Sequence, residues 1–382
     1  MKYLIKNVEI DPVVKEKITG DVLIDNGIIK KIDDNIVEKV DEVIDGKKAL
    51  LLPGFIDAHS HIGLNPEGYG FEYDDTNESS EPNTADVRAV DGFTTSDKSI
   101  KEGARGGVLI YCVLPGSSNP IGGLGFIAKY SKSNLVSDFI LRYDSCIKMA
   151  TGENPKRCFS AKDKSPSTRM GIASIIRNYL FDGKNYIEKK KKSQKENKVF
   201  TEYDNKMEIA QKILERKLPV RIHCHRAEDI LFAIRLKEEF GIRVSIEHCT
   251  DLIKVQDEVK KSNVPVMLGP VMSSRSKVEL MDMTYLSYKT AIDREIPFSC
   301  ISDHPVFPVE TLRLQAGMAI NYGADEREML KSLTIYPARI LGISEEYGSI
   351  EIGKKDNLCL WNGSPFDSRS KVVWNNIDGF IN

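Results

Sequence analysis

The sequence contains no apolar run of the length that a membrane span needs, about 18 residues or more. Its first residues, Met1–Asn7, contain no apolar core of the kind found in secretory signals. It also has little net charge, because 54 Lys and Arg residues stand against 56 Asp and Glu residues, a balance of −2. We therefore expect no membrane and no nucleic acid as partner.

Cysteine is scarce and scattered. The seven cysteines stand singly, with no Cys-x-x-Cys pair, at positions 112, 146, 158, 224, 249, 300 and 359. A disulfide framework or a structural zinc finger would need paired spacing, so we expect neither. The pattern is typical of a protein of the reducing cytoplasm.

Both ends of the chain are rich in short β patterns. Residues 21–30 read as a strand, an Asn-Gly turn and a second strand, and residues 347–363 have a similar character. We therefore expect a small β-sandwich domain formed from residues 1–52 and 346–382. A larger domain would occupy residues 53–345.

The middle of the chain alternates strand and helix patterns, which indicates the α/β class. Eight strands are predicted, at 49–62, 107–114, 126–130, 146–150, 219–225, 243–249, 264–268 and 298–303. Their number and spacing predict a closed parallel (β/α)8 TIM barrel, with a doubly wound open sheet as the alternative. Residues 163–217 form an insertion whose lysine run, Lys189–Lys192, is typical of a solvated helix face.

Histidine is the most informative residue type, because only six occur in the chain. They are His59, His61, His223, His225, His248 and His304. Each lies at the end of an apolar, strand-like segment, where an unpaired polar group would be costly to bury. Every histidine in the chain thus obeys one positional rule, which favours a shared function over independent structural roles.

Two of these segments carry a His-x-His pair. Alternation along a strand directs His59 and His61 to the same face, and His223 and His225 repeat the pattern on the fifth predicted strand. In a TIM barrel the carboxyl ends of the strands form the active face. Converging imidazoles at that face suit a divalent metal ion.

Lys148 lies inside an apolar strand, just before a glycine-containing loop. A lysine that faces the barrel interior must be paired, deprotonated or modified. A deprotonated amine can react with carbon dioxide to give a carbamate, an anionic ligand that can bridge two metal ions. The alternative is a lysine that extends toward substrate or solvent.

At these residues the sequence resembles the amidohydrolase superfamily. The resemblance rests on 52–61, which contains the first His pair, on 334–342 and on 348–358, and it runs nearly end to end. Within the superfamily, 115–123, 151–156 and 167–171 resemble the branch of imidazolonepropionase and the prolidase-like dipeptidases.

The resemblance implies a set of metal ligands. His59, His61 and Asp303 would bind the first metal, and carboxylated Lys148 would bridge to a second. His248 and one histidine of the fifth strand, His223 or His225, would bind the second metal. One or two divalent ions are expected, zinc first, with iron or manganese as alternatives.

The predicted chemistry is hydrolysis of a C–N bond, non-peptide or dipeptide-like, in a small substrate. A metal-activated hydroxide would attack, Asp303 would act as general base and then acid, and His223 or His225 would take part in catalysis. A deaminase on the same scaffold, with His225 paired to Glu228, is one alternative. A catalytically silent binding homologue is another, and a homo-oligomer is left open.

Three cations on loops of the active face are candidate substrate ligands. Lys156, Arg169 and Arg226 follow the fourth and fifth predicted strands. Arginine suits a substrate carboxylate because it can bind both oxygens. Ordinary surface ion pairs are the competing interpretation of each.

Overall fold

The computed structural model describes residues 1–381, which form sixteen strands and ten α-helices. The strands are β1 (Lys2–Ile10), β2 (Ile18–Asp25), β3 (Ile28–Asp33), β4 (Glu42–Asp45), β5 (Leu50–Pro53), β6 (Phe55–Ser60), β7 (Val108–Val113), β8 (Ile121–Lys129), β9 (Ile140–Ala150), β10 (Val220–Cys224), β11 (Val244–His248), β12 (Val266–Leu268), β13 (Phe298–Cys300), β14 (Leu358–Trp361), β15 (Val372–Asn375) and β16 (Gly379–Phe380). The helices are α1 (Lys98–Arg105), α2 (Glu153–Ser160), α3 (Arg169–Lys195), α4 (Asn205–Leu214), α5 (Ala227–Phe240), α6 (Gln256–Ser262), α7 (Leu286–Asp293), α8 (Leu312–Asn321), α9 (Glu326–Ser332) and α10 (Ile335–Leu341). Among the described residues, no helix has both the length and the apolarity that crossing a bilayer requires.

The two ends of the chain share one sheet. Its eight strands run in the order β16-β15-β14-β5-β1-β2-β3, and β4 pairs with β1 beside β5. The pairing of β5 with β14, in which Leu51 faces Leu360, joins the two ends across the rest of the chain. The predicted β unit built from both termini is thus confirmed, whereas its exact boundary with the larger domain stays a prediction.

The other eight strands, β6 to β13, form a nearly closed barrel. Hydrogen bonds from the backbone N–H of Asp303 to the carbonyl of His59, 3.1 Å, and from His61 to His304, 2.8 Å, join its two ends. The predicted TIM barrel is confirmed. These closing bonds also bring the segment after β13 against the carboxyl end of β6.

One strand departs from the predicted parallel arrangement. β8 pairs antiparallel with both β7 and β9. The connections on its two sides, 114–120 and 130–139, are shorter than the dozen or more residues that a parallel crossover requires. The predicted third strand, 126–130, therefore covers only the second half of the real one, which begins at Ile121.

The helices that cover the barrel follow the usual sequence rules. α5 carries Glu228 and Asp229 in its first turn, where acidic groups favour the helix dipole, and ends at Gly241, whose φ of 67° is left-handed. The predicted insertion contains α3 and α4. Lys189, Lys191 and Lys192 lie exposed on α3, as expected for a solvated face.

Candidate metal centre

The carboxyl ends of β6 and β13 contribute the first group of candidate ligands, which we call group one: His59, His61 and Asp303. His59 and His61 alternate along the strand and are both buried. Oδ1 of Asp303 lies 3.2 Å from Nε2 of each histidine. Three side chains from opposite ends of the barrel sheet therefore converge at its mouth.

Group two consists of His223, His225 and His248, from the ends of β10 and β11. Their candidate ligand atoms lie within 4.8 Å of one another, and all three side chains are buried. The sequence left open whether His223 or His225 belongs here, and the structure brings both together. The rings of His59 and His248 are only 5.0 Å apart, so the two groups are neighbours.

Two of the six candidate ligands lie on backbone of unusual, left-handed conformation. His248 has a φ of 69° and Asp303 a φ of 54°, both left-handed and neither glycine. Strict alternation would direct consecutive residues to opposite faces, yet both Glu247 and His248 reach the histidine cluster inside the barrel. The left-handed turn at His248 accounts for this, and such strain is concentrated at functional sites.

Most of the imidazoles are held in orientation by their Nδ1 atoms. Nδ1 of His61 donates to the carbonyl of Leu114, 2.7 Å, and that of His248 to the carbonyl of Gly269, 2.8 Å. Nδ1 of His59 lies 2.6 Å from Oε2 of Glu247. Such bonds fix the tautomer and leave Nε2 available to a metal ion.

Two imidazole nitrogens test whether a cation fits. Nε2 of His59 and Nδ1 of His223 are buried and have no hydrogen-bond partner among the described residues. Both ring nitrogens of His304 share this property, but His304 belongs to neither group. A buried nitrogen without a partner costs free energy, and a divalent ion would satisfy its lone pair. The donors are imidazoles and one carboxylate, a set that suits zinc, iron, manganese or nickel. The residues present therefore fit the expected metal.

A buried ion pair lies directly beneath group one. Nε and one terminal nitrogen of Arg221 donate to the two carboxylate oxygens of Glu247, at 2.8 and 2.7 Å. Burial alone would raise the pKa of Glu247, but Arg221 and His59 lower it well below its usual range. Sequence reasoning missed this pair, although a charged residue within each of two apolar strands was a signal that they face one another.

Glu247→Gln is expected to lower the free energy of unfolding by about 3–5 kcal/mol, because it leaves the Arg221 charge buried without a counter-ion. Urea denaturation of the metal-free protein measures the loss. Glu102→Gln, at an exposed ion pair on α1, is the control and should change stability by less than about 0.5 kcal/mol. Equal effects of the two substitutions would show that the pair contributes no more than a surface contact.

Lys148, on β9, lies near both groups. Its side chain is 1% exposed, and Nζ donates to the carbonyl of Pro115 at 3.2 Å. It is near enough to contribute to the lowered pKa of His61 in group one and of His248 in group two. Burial lowers the pKa of Lys148 itself to about 8. About a tenth of its amine is therefore neutral at pH 7, far more than for an ordinary lysine.

The two groups open onto a cavity of about 390 Å³. His61, Asp303 and the three histidines of group two are among its lining residues. Two cations, Arg157 on α2 and Lys277 in the loop after β12, also line it. The volume is that of a pocket for a small molecule.

The three cations proposed from the sequence lie elsewhere. Arg169 pairs with Asp229 at 3.1 Å, and Arg226 pairs with Asp282 at 3.0 Å. Neither of these nor Lys156 is among the residues that line the cavity. Their role in substrate binding stays a prediction without structural support, and Arg157 and Lys277 are the cations that sequence reasoning missed.

A comparison with known protein families identifies the family to which the chain belongs. The model of the amidohydrolase family matches residues 50–379, most of the chain. The chain belongs to the amidohydrolase family. The resemblance inferred from the residues is thereby confirmed.

Similarity to individual amidohydrolases supports this family assignment. The crystal structure of an amidohydrolase from Thermotoga maritima MSB8 is 44% identical, with a TM-score of 0.96 over 99% of this chain and 98% of that one. Amidohydrolase tasK of Hapsidospora irregularis is 27% identical over 94% of this chain but only 39% of its own length. Imidazolonepropionase of Thermoplasma acidophilum is 29% identical over 39% of this chain and 36% of its own. The chain thus spans well under half the length of these two curated relatives.

Without metal, this amidohydrolase should lose stability in mild acid. Burial lowers the pKa of His248 from 6.5 to about 3 and lowers those of His223 and His225 well below 6.5. The unfolded chain then binds more protons than the folded one below the ordinary histidine pKa, so stability falls as the pH falls. His248 alone contributes a loss on the order of 2 kcal/mol between pH 7 and pH 5, and the other two histidines act in the same direction. Asp57, whose pKa burial raises to about 6, opposes this trend, whereas His304, whose pKa burial lowers to about 4, adds to it.

Denaturant unfolding of the metal-free protein at a series of pH values measures the effect. Metal-loaded protein, in which the imidazoles are held neutral as ligands, is the control and should keep its stability to a lower pH. Equal stability of the metal-free protein at pH 7 and pH 5 would contradict the expectation.

Proposed function

We propose that this amidohydrolase is a metal-dependent hydrolase that cleaves a C–N bond, non-peptide or dipeptide-like, in a small substrate. The observation that carries the proposal is the convergence of groups one and two, with unpartnered buried imidazole nitrogens, at the floor of one cavity. Zinc is the metal we propose first, with iron or manganese as alternatives. We propose the cytoplasm as its compartment, since all seven cysteines are free thiols.

Asp303 is the proposed general base and acid. Burial alone would raise its pKa, but His248, His59 and His61 lower the pKa well below the usual range, so the carboxylate is ionised at neutral pH. It accepts a proton from the attacking water and later donates it to the leaving nitrogen. A divalent ion held by these groups would supply Lewis acidity, lowering the pKa of a water and polarising the substrate carbonyl.

The histidines of group two have the complementary role. His223, His225 and His248 face the same cavity as Asp303. They would hold a second ion, or His223 or His225 would donate a hydrogen bond directly, and either arrangement would stabilise the negative charge that develops on the carbonyl oxygen. The substrate carbonyl is therefore expected to lie between Asp303 and group two.

Lys148 is the proposed bridge between two ions. The neutral Nζ attacks the carbon of carbon dioxide, an N–C bond forms, and a proton leaves to solvent, which gives a carbamate with two oxygen ligands. Its burial, its pKa of about 8 and its nearness to both groups support this reaction. Its one hydrogen bond, to the carbonyl of Pro115, leaves the amine without a carboxylate partner.

The two alternatives, a deaminase and a catalytically silent binding homologue, have less support. The deaminase hypothesis depended on pairing His225 with Glu228, but Glu228 is exposed on α5 and does not line the cavity. A silent binding homologue would not need to keep six potential ligands, and all six are present here. Hydrolysis therefore remains the function that the site favours.

The test is an assay of zinc-loaded protein against a panel of N-acyl amino acids, dipeptides, cyclic amides and aromatic amines. Released amine and released ammonia are measured separately, and metal content is determined by elemental analysis. The proposal predicts amine release or ring opening that is lost on chelation and restored by zinc. Ammonia release from an aromatic amine would support the deaminase, and stoichiometric metal without any turnover would favour the silent homologue.

A further inference from the structure

The loop after β12 extends a lysine over the metal centre. Lys277 has a side chain that is only 14% exposed and lines the cavity. Its Nζ donates to Oδ1 of Asn154 at 3.1 Å. An ammonium group has three protons to donate, so this bond leaves donors available inside the cavity.

The charge of Lys277 is only weakly compensated. The carboxylate paired with it, that of Glu279, has its Oε2 3.7 Å from Nζ, beyond hydrogen-bond distance. The other oxygen of Glu279 already accepts the backbone N–H of Glu153 at 2.6 Å. A second cation, Arg157, stands at the cavity mouth with its side chain 71% exposed. Arg157 has its own partner, Glu153, at 3.6 Å, so two cations with loosely held carboxylate partners line this part of the cavity.

A short chain of contacts sets the distance from Lys277 to the metal centre. Asn154, which accepts from Lys277, has its Nδ2 3.5 Å from Nε2 of His223 and donates to Oγ of Ser117 at 2.8 Å. Only one side chain therefore separates the ammonium group from group two. A substrate carbonyl at group two would bring a carboxylate one or two bonds further along within reach of Nζ.

The wall beside Lys277 is apolar. Val271, Leu280 and Met283 line the cavity on the same loop, with Met283 buried and the other two half-buried. An apolar side chain of a ligand could pack there while its charged group meets the lysine. One element thus presents a cation and an apolar surface together.

We propose that Lys277 binds the free carboxylate of an amino-acid-derived amide, an N-acyl amino acid or dipeptide, whose apolar side chain packs against Val271, Leu280 and Met283. Arg157 attracts the same anion at the cavity mouth. The inference rests on the proposed function for the bond that is cleaved, and it adds the substrate class and the residue that selects it. Lys277 is a specificity-determining residue and takes no part in the proton transfers.

The experiment compares matched ligands that differ in one charge. N-acetyl-L-leucine and N-acetyl-L-leucinamide are titrated calorimetrically into zinc-loaded wild type, Lys277→Met and Lys277→Arg, and kcat and KM are measured for whichever ligand is hydrolysed. The preference for the acid is the ratio of the Kd of the amide to the Kd of the acid. Because a metal ion also attracts a carboxylate, the informative quantity is the change in this ratio from wild type to each Lys277 variant. Lys277→Met should reduce the preference for the acid by about 10-fold or more, seen in Kd and KM rather than in kcat. Lys277→Arg, which keeps the charge, should recover most of it.

Lys289→Met, at an exposed i,i+4 pair on α7, is the matched control and should leave the preference unchanged. If wild type binds the acid and the amide equally, or if Lys277→Met keeps the wild-type preference, the inference is overturned. Binding that prefers the acid through Lys277, without hydrolysis of either ligand, would support this subsite and count against the proposed function. The two proposals can therefore fail separately.

Discussion

Replacing Asp303 with Asn is expected to lower kcat/KM by about 10³-fold to 10⁴-fold for whichever amide the protein hydrolyses. The amide side chain cannot accept the proton of the attacking water, and general acid–base catalysis of this kind contributes up to about 10⁴-fold. The amide is also a poorer metal ligand than a carboxylate, which adds to the loss. Steady-state kinetics at saturating zinc measure the effect, with metal content determined on the same sample.

The control for this experiment is Asp293→Asn, which removes an exposed carboxylate at the end of α7. Its activity should stay within about twofold of wild type, since it is far from the chemistry. Thermal unfolding of both variants separates a catalytic loss from a folding defect. Folded Asp303→Asn protein that keeps more than a tenth of wild-type activity would rule out Asp303 as the proton carrier.

Lys148→Ala is expected to lower the bound metal from two ions per chain to one, and to lower kcat by about 100-fold or more. The carbamate is the only proposed ligand shared by both groups, so its loss weakens the second ion in particular. A short carboxylic acid such as propionate can occupy the space of the missing side chain and supply the bridging oxygens. Added propionate should therefore restore part of both the metal content and the activity.

Lys101→Ala, on the exposed face of α1, is the matched control and should bind two ions with or without propionate. Lys148→Arg gives a second comparison, because it keeps a positive charge but cannot form the carbamate. If Lys148→Ala still binds two ions and keeps wild-type activity, the proposal that Lys148 bridges the two ions is wrong. If wild type itself binds a single ion, a centre with one metal ion replaces the proposed centre with two.

Much of the fold could be predicted because its signals are local. Alternation predicted β10 and β11 closely, at 219–225 and 243–249. The rule that ties every histidine to the end of a strand predicted the five histidines among the six potential ligands, whereas Asp303 was predicted from the family resemblance and His304 lies in neither group. Strand order in a barrel follows chain order, so residues far apart in sequence could be assigned to one mouth. Pattern and topology together were sufficient for this part of the site.

The remaining features depend on contacts that pattern does not encode. The antiparallel direction of β8 follows from short connections, and the inward turn of His248 follows from a left-handed backbone at a non-glycine residue. Loops are the least predictable part, because tertiary contacts determine their paths. Arg169 and Arg226 were therefore expected at the cavity, whereas Lys277, in a loop without a strand signal, was not.

X-ray diffraction from zinc-loaded crystals, with anomalous differences recorded at the zinc edge, tests the central claim most directly. The account predicts two peaks at the barrel mouth, one within bonding distance of His59, His61 and Asp303 and one within bonding distance of histidines of group two. Continuous density from Nζ of Lys148 to both ions would complete the predicted centre. Absence of any peak at these residues, or a single ion bound away from both groups, would contradict it.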